Sequence, residues 1–305
     1  MKILFIETVH SLLKEQLEKN GHICKTAYDK NKDQIEKIID QYEGIIIRSK
    51  FKIDKKFIDK ANKLKFIARA GSGMENIDVK YAVNKNISCY NAAEGNSQAV
   101  AEHAIGLLLC LFNNIAKSNR EISKGKWERE ENRGIEINRK KIGIIGYGNT
   151  GKALTKLLES FNAEIFVYDK YLLDYKYKST MQEIYNNVDI LSLHIPLTKE
   201  TTYLINDDFI NKFHKPFYLI NTSRGKCVNT KSLVNALKSG KINGACLDVI
   251  EYEDPSFIQI NKKPKELNYL INSKKTILTS HIAGWTKESN LKIAETLFKK
   301  IMHQN

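Results

Sequence analysis

An apolar run, Ile142-Gly143-Ile144-Ile145, leads directly into Gly146-Tyr147-Gly148-Asn149-Thr150-Gly151, and a segment of helical composition follows. Three glycines at this spacing, between a strand and a helix, restrict the fold more than any other feature of the chain. The first permits a tight turn, the second lets a ligand approach the backbone, and the third lets helix and strand pack closely. The helix then presents its positive end and its unpaired N–H groups to the loop, which suits a pyrophosphate. The next apolar run ends in Val167-Tyr168-Asp169. A carboxylate there can accept hydrogen bonds from both ribose hydroxyls and repels a 2′-phosphate, so the pattern predicts NAD rather than NADP.

Short apolar runs alternate with amphipathic segments along the whole chain, as in an α/β protein with a mainly parallel sheet. Two series are visible. The first has strand-like runs at Ile3 to Ile6, Gly44 to Ile47, Phe66 to Ala68 and Ile87 to Tyr90, with helical segments at Leu12 to Lys19 and Lys55 to Ala61. The second has runs at Ile142 to Ile145, Ile165 to Val167, Ile190 to Leu193, Phe217 to Ile220, Ala245 to Leu247 and Thr276 to Leu278, enough for a doubly wound sheet. Between the series, Ser97 to Ala116 is apolar on nearly every face and predicts one long helix, buried between domains or at a subunit contact. Glu288 to Met302 is amphipathic and can return to pack on the first domain. The expected architecture is two doubly wound parallel-sheet α/β domains, Rossmann-like and flavodoxin-like, with a cleft between them. The expected division is 1–95 with 285–305 as a discontinuous substrate domain, and 96–284 as the NAD-binding domain.

With 305 residues, 42% of them apolar, the chain can bury two cores. Its longest apolar stretch, Ala104 to Phe112, falls far short of the ~20 residues of a bilayer-spanning helix. Only Ile3-Leu4-Phe5-Ile6 separates Met1-Lys2 from Glu7, too short for a secretory signal, so a cytoplasmic location is expected. Cys24, Cys89, Cys110, Cys227 and Cys246 are too widely spaced for a disulfide framework or a metal site and read as small apolar residues. The formal charge of +14 comes from lysines scattered over most helical segments, with acids interleaved. No basic and aromatic stripe accompanies it, so no nucleic-acid role is expected.

Three segments of the second series place polar and charged groups at strand ends, where a doubly wound sheet forms its crevice. They are Asn221-Thr222-Ser223-Arg224-Gly225, Asp248-Val249-Ile250-Glu251-Tyr252-Glu253, and Ser280-His281-Ile282-Ala283-Gly284-Trp285. Oxidising a hydroxy acid needs a base for the hydroxyl proton and a cation for the carboxylate, and these segments contain both. Of the histidines, His281 is the candidate base; His194 reads as positional, His103 as part of the buried helix, and His10, His22, His214 and His303 as surface residues.

With these segments, Ala68-Arg69-Ala70-Gly71-Ser72-Gly73-Met74-Glu75-Asn76-Ile77-Asp78, Asn91 to Ser97 with Ala101-Glu102, and His194-Ile195-Pro196-Leu197-Thr198 resemble the ordered motifs of the D-isomer-specific 2-hydroxyacid dehydrogenases. The resemblance covers nearly the whole chain and implies a catalytic trio of Arg224, Glu253 and His281. His281 would take the hydroxyl proton, Glu253 would pair with it, and Arg224 would hold the carboxylate and the oxygen that becomes the carbonyl. Glu251 and Asp254 remain alternatives to Glu253, because Asp254 separates Glu253 from Pro255 where the family usually has the proline directly. The resemblance implies cofactor contacts from Ser72, Gly146, Gly148, Asn149, Thr150, Gly151, Asp169, Ile195, Pro196, Thr222, Ser223, Arg224, Asp248, His281 and Gly284, with Asp248 at the nicotinamide amide. It implies substrate contacts from Arg48, Ser49, Gly71, Ser72 and Gly73 together with Arg224 and His281.

Within the family, Ile47-Arg48-Ser49 and Ala70-Gly71-Ser72-Gly73 most resemble the phosphoglycerate dehydrogenase group, in which Arg48 would be a second cation for a phosphorylated acid. Oxidation of 3-phosphoglycerate, the entry to serine synthesis, is the expectation. A glyoxylate or hydroxypyruvate reductase is the alternative, and an NAD-sensing binding protein of the same fold is the reading from another class. The chain ends soon after the His281 segment, so serine feedback through an appended regulatory domain is not expected. The family also implies a homodimer, formed through the nucleotide domain. No metal is expected.

Overall fold

A computed structural model describes residues 1–254, 260 and 264–303, so Pro255 lies outside the described residues. They fall into two compact units, the first built from Met1–Ser97 and the stretch from Trp285 onward, the second from Gln98–Glu253 and Ile260–Gly284.

The first unit carries five parallel strands, β1 (Lys2–Phe5), β2 (Ile23–Thr26), β3 (Gly44–Ile47), β4 (Phe66–Arg69) and β5 (Ser88–Tyr90), in the order β2-β1-β3-β4-β5. Helices cover both faces, so the central strands are continuous apolar runs, and all four residues of β3 are buried. On one face Leu4, Ile6, Ile45, Ile47 and Ile67 pack with Ile35 and Phe57. On the other, Ile3 and Phe5 pack with Leu13 and Leu17 of the helix Ser11–Lys19 and with Leu297 and Ile301 of the helix Lys287–Met302. A capping box between Thr286 and Ser289 starts that last helix, which returns the chain's end to this unit. Strand β2 has no counterpart in the sequence reading. It is an edge strand in which only Cys24 is buried, so it leaves no apolar run to detect. His22, expected at the surface, is 9% exposed, with Nδ1 3.2 Å from the amino terminus.

The second unit carries β6 (Lys141–Ile145), β7 (Glu164–Tyr168), β8 (Ile190–Leu193), β9 (Phe217–Asn221), β10 (Ile242–Leu247) and β11 (Thr276–Leu278), all parallel, in the order β11-β10-β9-β8-β6-β7. Lys178 forms a parallel bridge to Val167 on the far side of β7. The direction of winding reverses between β6 and β8, which makes the carboxyl ends of these two strands the place where a crevice opens.

The long helix expected over Ser97 to Ala116 is two helices, Ser97–Phe112 and Ile115–Ile122, bent by 56°. Asn113-Asn114 interrupts it. Asn is a poor helix former that tolerates the left-handed region, and Asn114 adopts φ +53°. The first helix belongs to the core of the second unit, where Ala104, Ile105, Leu108 and Phe112 pack with Ile142, Ile144, Leu154, Ile220 and Cys246. The second buries no residue and exposes Ile115 and Ile122. Among the described residues no single helix is long and apolar enough to cross a membrane.

Candidate active site

The glycine loop follows β6 and caps the helix Asn149–Glu159. Gly146 sits at φ +96°, and a Cβ there would lie 2.3 Å from the carbonyl oxygen of His194, the residue after β8. A Cβ on Gly151 would lie 2.1 Å from the Gly146 carbonyl oxygen, so the third glycine sets how closely the helix approaches the strand. Gly148 differs: a Cβ there would meet nothing within 4 Å, and Gly148 and Asn149 are exposed. The loop is therefore closed where it touches protein and open where a phosphate would rest.

Asp169 stands at the end of β7. Its carboxylate accepts the N–H groups of Tyr147 (2.7 Å), Tyr171 (2.9 Å) and Leu172 (3.2 Å). Burial alone would raise its pKa, but these bonds outweigh that and hold it below the usual carboxylate range. Thr222, 8% exposed at the end of β9, keeps a buried hydroxyl with no protein partner among the described residues. An open helix start, an ionised acid at the next strand end and an orphaned hydroxyl together fit a dinucleotide. Ile195 is half-buried and Pro196 exposed; the Pro196 carbonyl oxygen accepts the Thr201 hydroxyl at 2.7 Å. His194, read from the sequence as positional, follows β8. Its Nε2 lies 2.8 Å from the Ser192 hydroxyl, and burial pushes its pKa down to about 4, so the ring is neutral.

The segments after β9, β10 and β11 lie at the carboxyl ends of three adjacent strands. After β9, Asn221 is fully buried; its amide N–H donates to the Arg224 carbonyl oxygen at 3.0 Å, and its Oδ1 accepts the Ser223 N–H and hydroxyl. This closes a short turn that presents Arg224, half-buried, with Nη1 donating to the Ser223 carbonyl oxygen at 2.7 Å. Gly225 is required next, since a Cβ would lie 2.0 Å from the Ile250 carbonyl oxygen.

After β11, His281 and Glu253 meet. His281 Nδ1 lies 2.7 Å from Glu253 Oε2, and the other Glu253 oxygen accepts the Ile250 N–H. Of the three acids left open by the sequence, Glu253 is thus in contact with the histidine. Burial, with the Glu251 carboxylate nearby, raises the pKa values of the Tyr203 and Tyr252 hydroxyls.

Asp248, expected at the nicotinamide amide, is 1% exposed, and its carboxylate is engaged by the protein. Oδ1 accepts the Thr279 hydroxyl (2.5 Å) and the Ile282 N–H (2.9 Å), and Oδ2 accepts the Ala283 N–H (2.8 Å). His103 Nε2 lies 3.4 Å from Oδ1. The structure therefore puts Asp248 under the His281 turn, with Gly284 half-buried just beyond it.

The remaining expected residues lie in the first unit, again at strand ends. Glu7, just after β1, accepts the N–H groups of Arg48 (2.6 Å), Ser49 (2.8 Å) and Lys50 (2.9 Å) on a single oxygen, at the point where this sheet reverses its winding. The Arg48 guanidinium stacks on Trp285, 4.3 Å from the ring centroid, and donates to the Thr8 carbonyl oxygen. The Arg48 carbonyl oxygen accepts from Arg69 Nε and Asn76 Nδ2. Gly71 is buried at φ +154°, Ser72 bonds Asn96 (2.6 Å) and accepts from the Asn91 amide at its carbonyl oxygen, and Gly73 is half-buried. Sequence reasoning missed Glu7, Asn221, His103 and Trp285. Only position after a strand marked Glu7 and Asn221, and nothing local marked His103 or Trp285.

Comparison with known proteins places these features in a family context. Residues 105–283 match the D-isomer specific 2-hydroxyacid dehydrogenase family, NAD binding domain. A D-3-phosphoglycerate dehydrogenase of Archaeoglobus fulgidus is 31% identical over 309 residues, covering 99% of this chain and 57% of that protein. A hydroxypyruvate reductase of Thermotoga maritima is 33% identical over 295 residues, covering 95% of this chain and 92% of that protein. The structure of a 3-phosphoglycerate dehydrogenase from Entamoeba histolytica with bound NAD+ matches with a TM-score of 0.78 at 27% identity, over 99% of this chain and 94% of that one. The chain spans about half the length of the curated phosphoglycerate dehydrogenases it matches.

Proposed function

Because the chain belongs to the D-isomer specific 2-hydroxyacid dehydrogenase family, we propose that it interconverts a small D-2-hydroxy acid and its 2-keto acid with NAD, and that the hydroxy acid is 3-phosphoglycerate. The observation that carries the reaction type is the 2.7 Å contact between His281 and Glu253. A carboxylate on Nδ1 favours the tautomer with its proton on that nitrogen, which leaves Nε2 to exchange a proton with the substrate oxygen. Arg224 holds the substrate carboxylate with its planar fork of donors. NAD, when bound, supplies the hydride acceptor; the glycine loop and the helix Asn149–Glu159 hold its pyrophosphate, and Asp169 its ribose. Ser72, Ile195, Pro196, Thr222, Ser223 and Gly284 complete the proposed cofactor contacts. The choice of a phosphorylated substrate rests on Arg48.

A second substrate reading has its own support. The hydroxypyruvate reductase relative is matched over 92% of its length, so reduction of hydroxypyruvate or glyoxylate is the alternative. For the oligomer we propose a homodimer, with Ile115, Ile122 and Trp127, all exposed on and after the helix Ile115–Ile122, as part of its contact. A monomer by sedimentation at micromolar concentration would contradict it.

The test of function is NADH formation at alkaline pH with 3-phosphoglycerate, D-glycerate and D-lactate, beside the reverse assay with hydroxypyruvate and glyoxylate. Selective turnover of the phosphorylated acid is expected. Turnover of only unphosphorylated acids would leave the reaction type and overturn the substrate, and NAD binding without turnover would favour an NAD-sensing binding protein.

A further inference from the structure

We propose that His103 is a positioning residue which, through Thr279 and Asp248, holds the turn that carries His281. It lies on the helix Ser97–Phe112, half-buried, far from His281 in sequence. The proposal rests on the reading of His281 as the acid–base group.

The direction of each hydrogen bond follows from counting protons. A threonine hydroxyl has one hydrogen, and the ionised Asp248 carboxylate can only accept. The 2.5 Å contact from Thr279 Oγ1 to Asp248 Oδ1 therefore uses that hydrogen. The 2.9 Å contact between His103 Nε2 and Thr279 Oγ1 then requires the histidine to donate, so Nε2 carries a proton. The chain runs from His103 to Thr279 to Asp248, and its last member grips three consecutive N–H groups. The Asp248 carbonyl oxygen accepts that of His281 at 2.8 Å, Oδ1 that of Ile282 at 2.9 Å, and Oδ2 that of Ala283 at 2.8 Å.

The grip matters because His281 adopts φ +59°. A non-glycine residue keeps a left-handed conformation only where its surroundings determine it. Removing the donor at His103 leaves the Thr279 hydroxyl free to rotate away from Asp248. The carboxylate, 1% exposed, then loses an accepted bond, and the turn loses its anchor.

The test compares His103→Leu, His103→Gln and Thr279→Val with the unmodified protein. Three quantities are read: kcat on the best keto acid of the substrate panel, the Kd for NAD by calorimetry, and amide hydrogen exchange at His281 to Ala283 without cofactor. Loss of one part-buried hydrogen bond predicts a kcat about tenfold lower in His103→Leu and Thr279→Val, with faster exchange at the three amides and an unchanged Kd for NAD. His103→Gln, whose amide can donate from a similar place, should recover most of both losses. Wild-type kcat and exchange in His103→Leu would overturn the proposal, as would a glutamine variant as impaired as the leucine one. His281→Ala, measured alongside, separates the two claims. If it retains turnover, the acid–base reading fails and the proposal with it; if it is inactive while His103→Leu is not, only the role of His103 falls.

Discussion

The backbone N–H of His281 donates to the carbonyl oxygen of Asp248 at 2.8 Å, so the turn after β11 is held by the residue after β10. Neither is placed by its own loop alone. Adjacent parallel strands deliver both to one edge of the sheet, and the buried Asp248 carboxylate then fixes the two residues that follow His281.

Asp248 ties stability to pH. Burial would raise its pKa, but nearby His103 and the bonds from Thr279, Ala283 and Ile282 outweigh that and hold it below its ordinary value. A lowered folded-state pKa contributes stability that is whole above the unfolded value of about 3.9 and is lost as pH falls through that value toward the folded one. Asp248→Asn should therefore cost about 2 kcal/mol at neutral pH. Its deficit against wild type, from urea unfolding, should shrink as the medium is acidified below the ordinary carboxylate range. A deficit independent of pH would contradict this account of the carboxylate.

Two glycines of one loop should respond in opposite ways. Gly148→Ala meets open space, so thermal stability should hold while the Kd for NAD rises about tenfold, the added methyl standing where the pyrophosphate approaches. Gly151→Ala forces a Cβ against the Gly146 carbonyl oxygen and should lower the melting temperature by several degrees before any ligand is added. Equal stability in the two variants, by calorimetry, would refute the distinction.

Much of this was legible because parallel strands covered on both faces leave uninterrupted apolar runs. Gly44–Ile47, Ile190–Leu193 and Thr276–Leu278 are strands with the bounds read from sequence. Strand β2, with one buried residue, left no such trace. The helix over Ser97 to Ala116 was overextended because hydrophobicity does not register a backbone reversal at Asn114. In the site, spacing brought out the glycines, and position at strand ends together with the family resemblance brought out Arg224 and His281. That Glu253 meets His281 was visible only in the fold of that loop. His103 and Trp285 act through partners distant in sequence, which no local pattern encodes.

Asp169 should govern the choice of nicotinamide cofactor. Asp169→Ala should raise the Kd for NAD about tenfold and narrow the preference over NADP. Because three backbone N–H groups also lose their acceptor, some stability should go with it. An unchanged NAD-to-NADP ratio of kcat/KM would mean that another residue reads the ribose.

Arg48 should act on the substrate and not on the reaction. With its loop anchored by Glu7 and its guanidinium on Trp285, Arg48→Met removes a cation without removing the hydrogen bonds of its backbone. If the substrate is phosphorylated, KM for it should rise about tenfold or more while kcat/KM for D-glycerate stays near wild type. Equal losses on both acids would assign Arg48 to the structure of its loop.

The account turns on His281 as the group that exchanges the substrate proton. The most direct measurement is single-turnover oxidation of NADH by the keto acid that the protein reduces best, in wild type and His281→Ala, with NADH affinity measured on the same samples. A rate lower by about a hundredfold or more with unchanged NADH affinity is the predicted result. A wild-type rate in the alanine variant would contradict it.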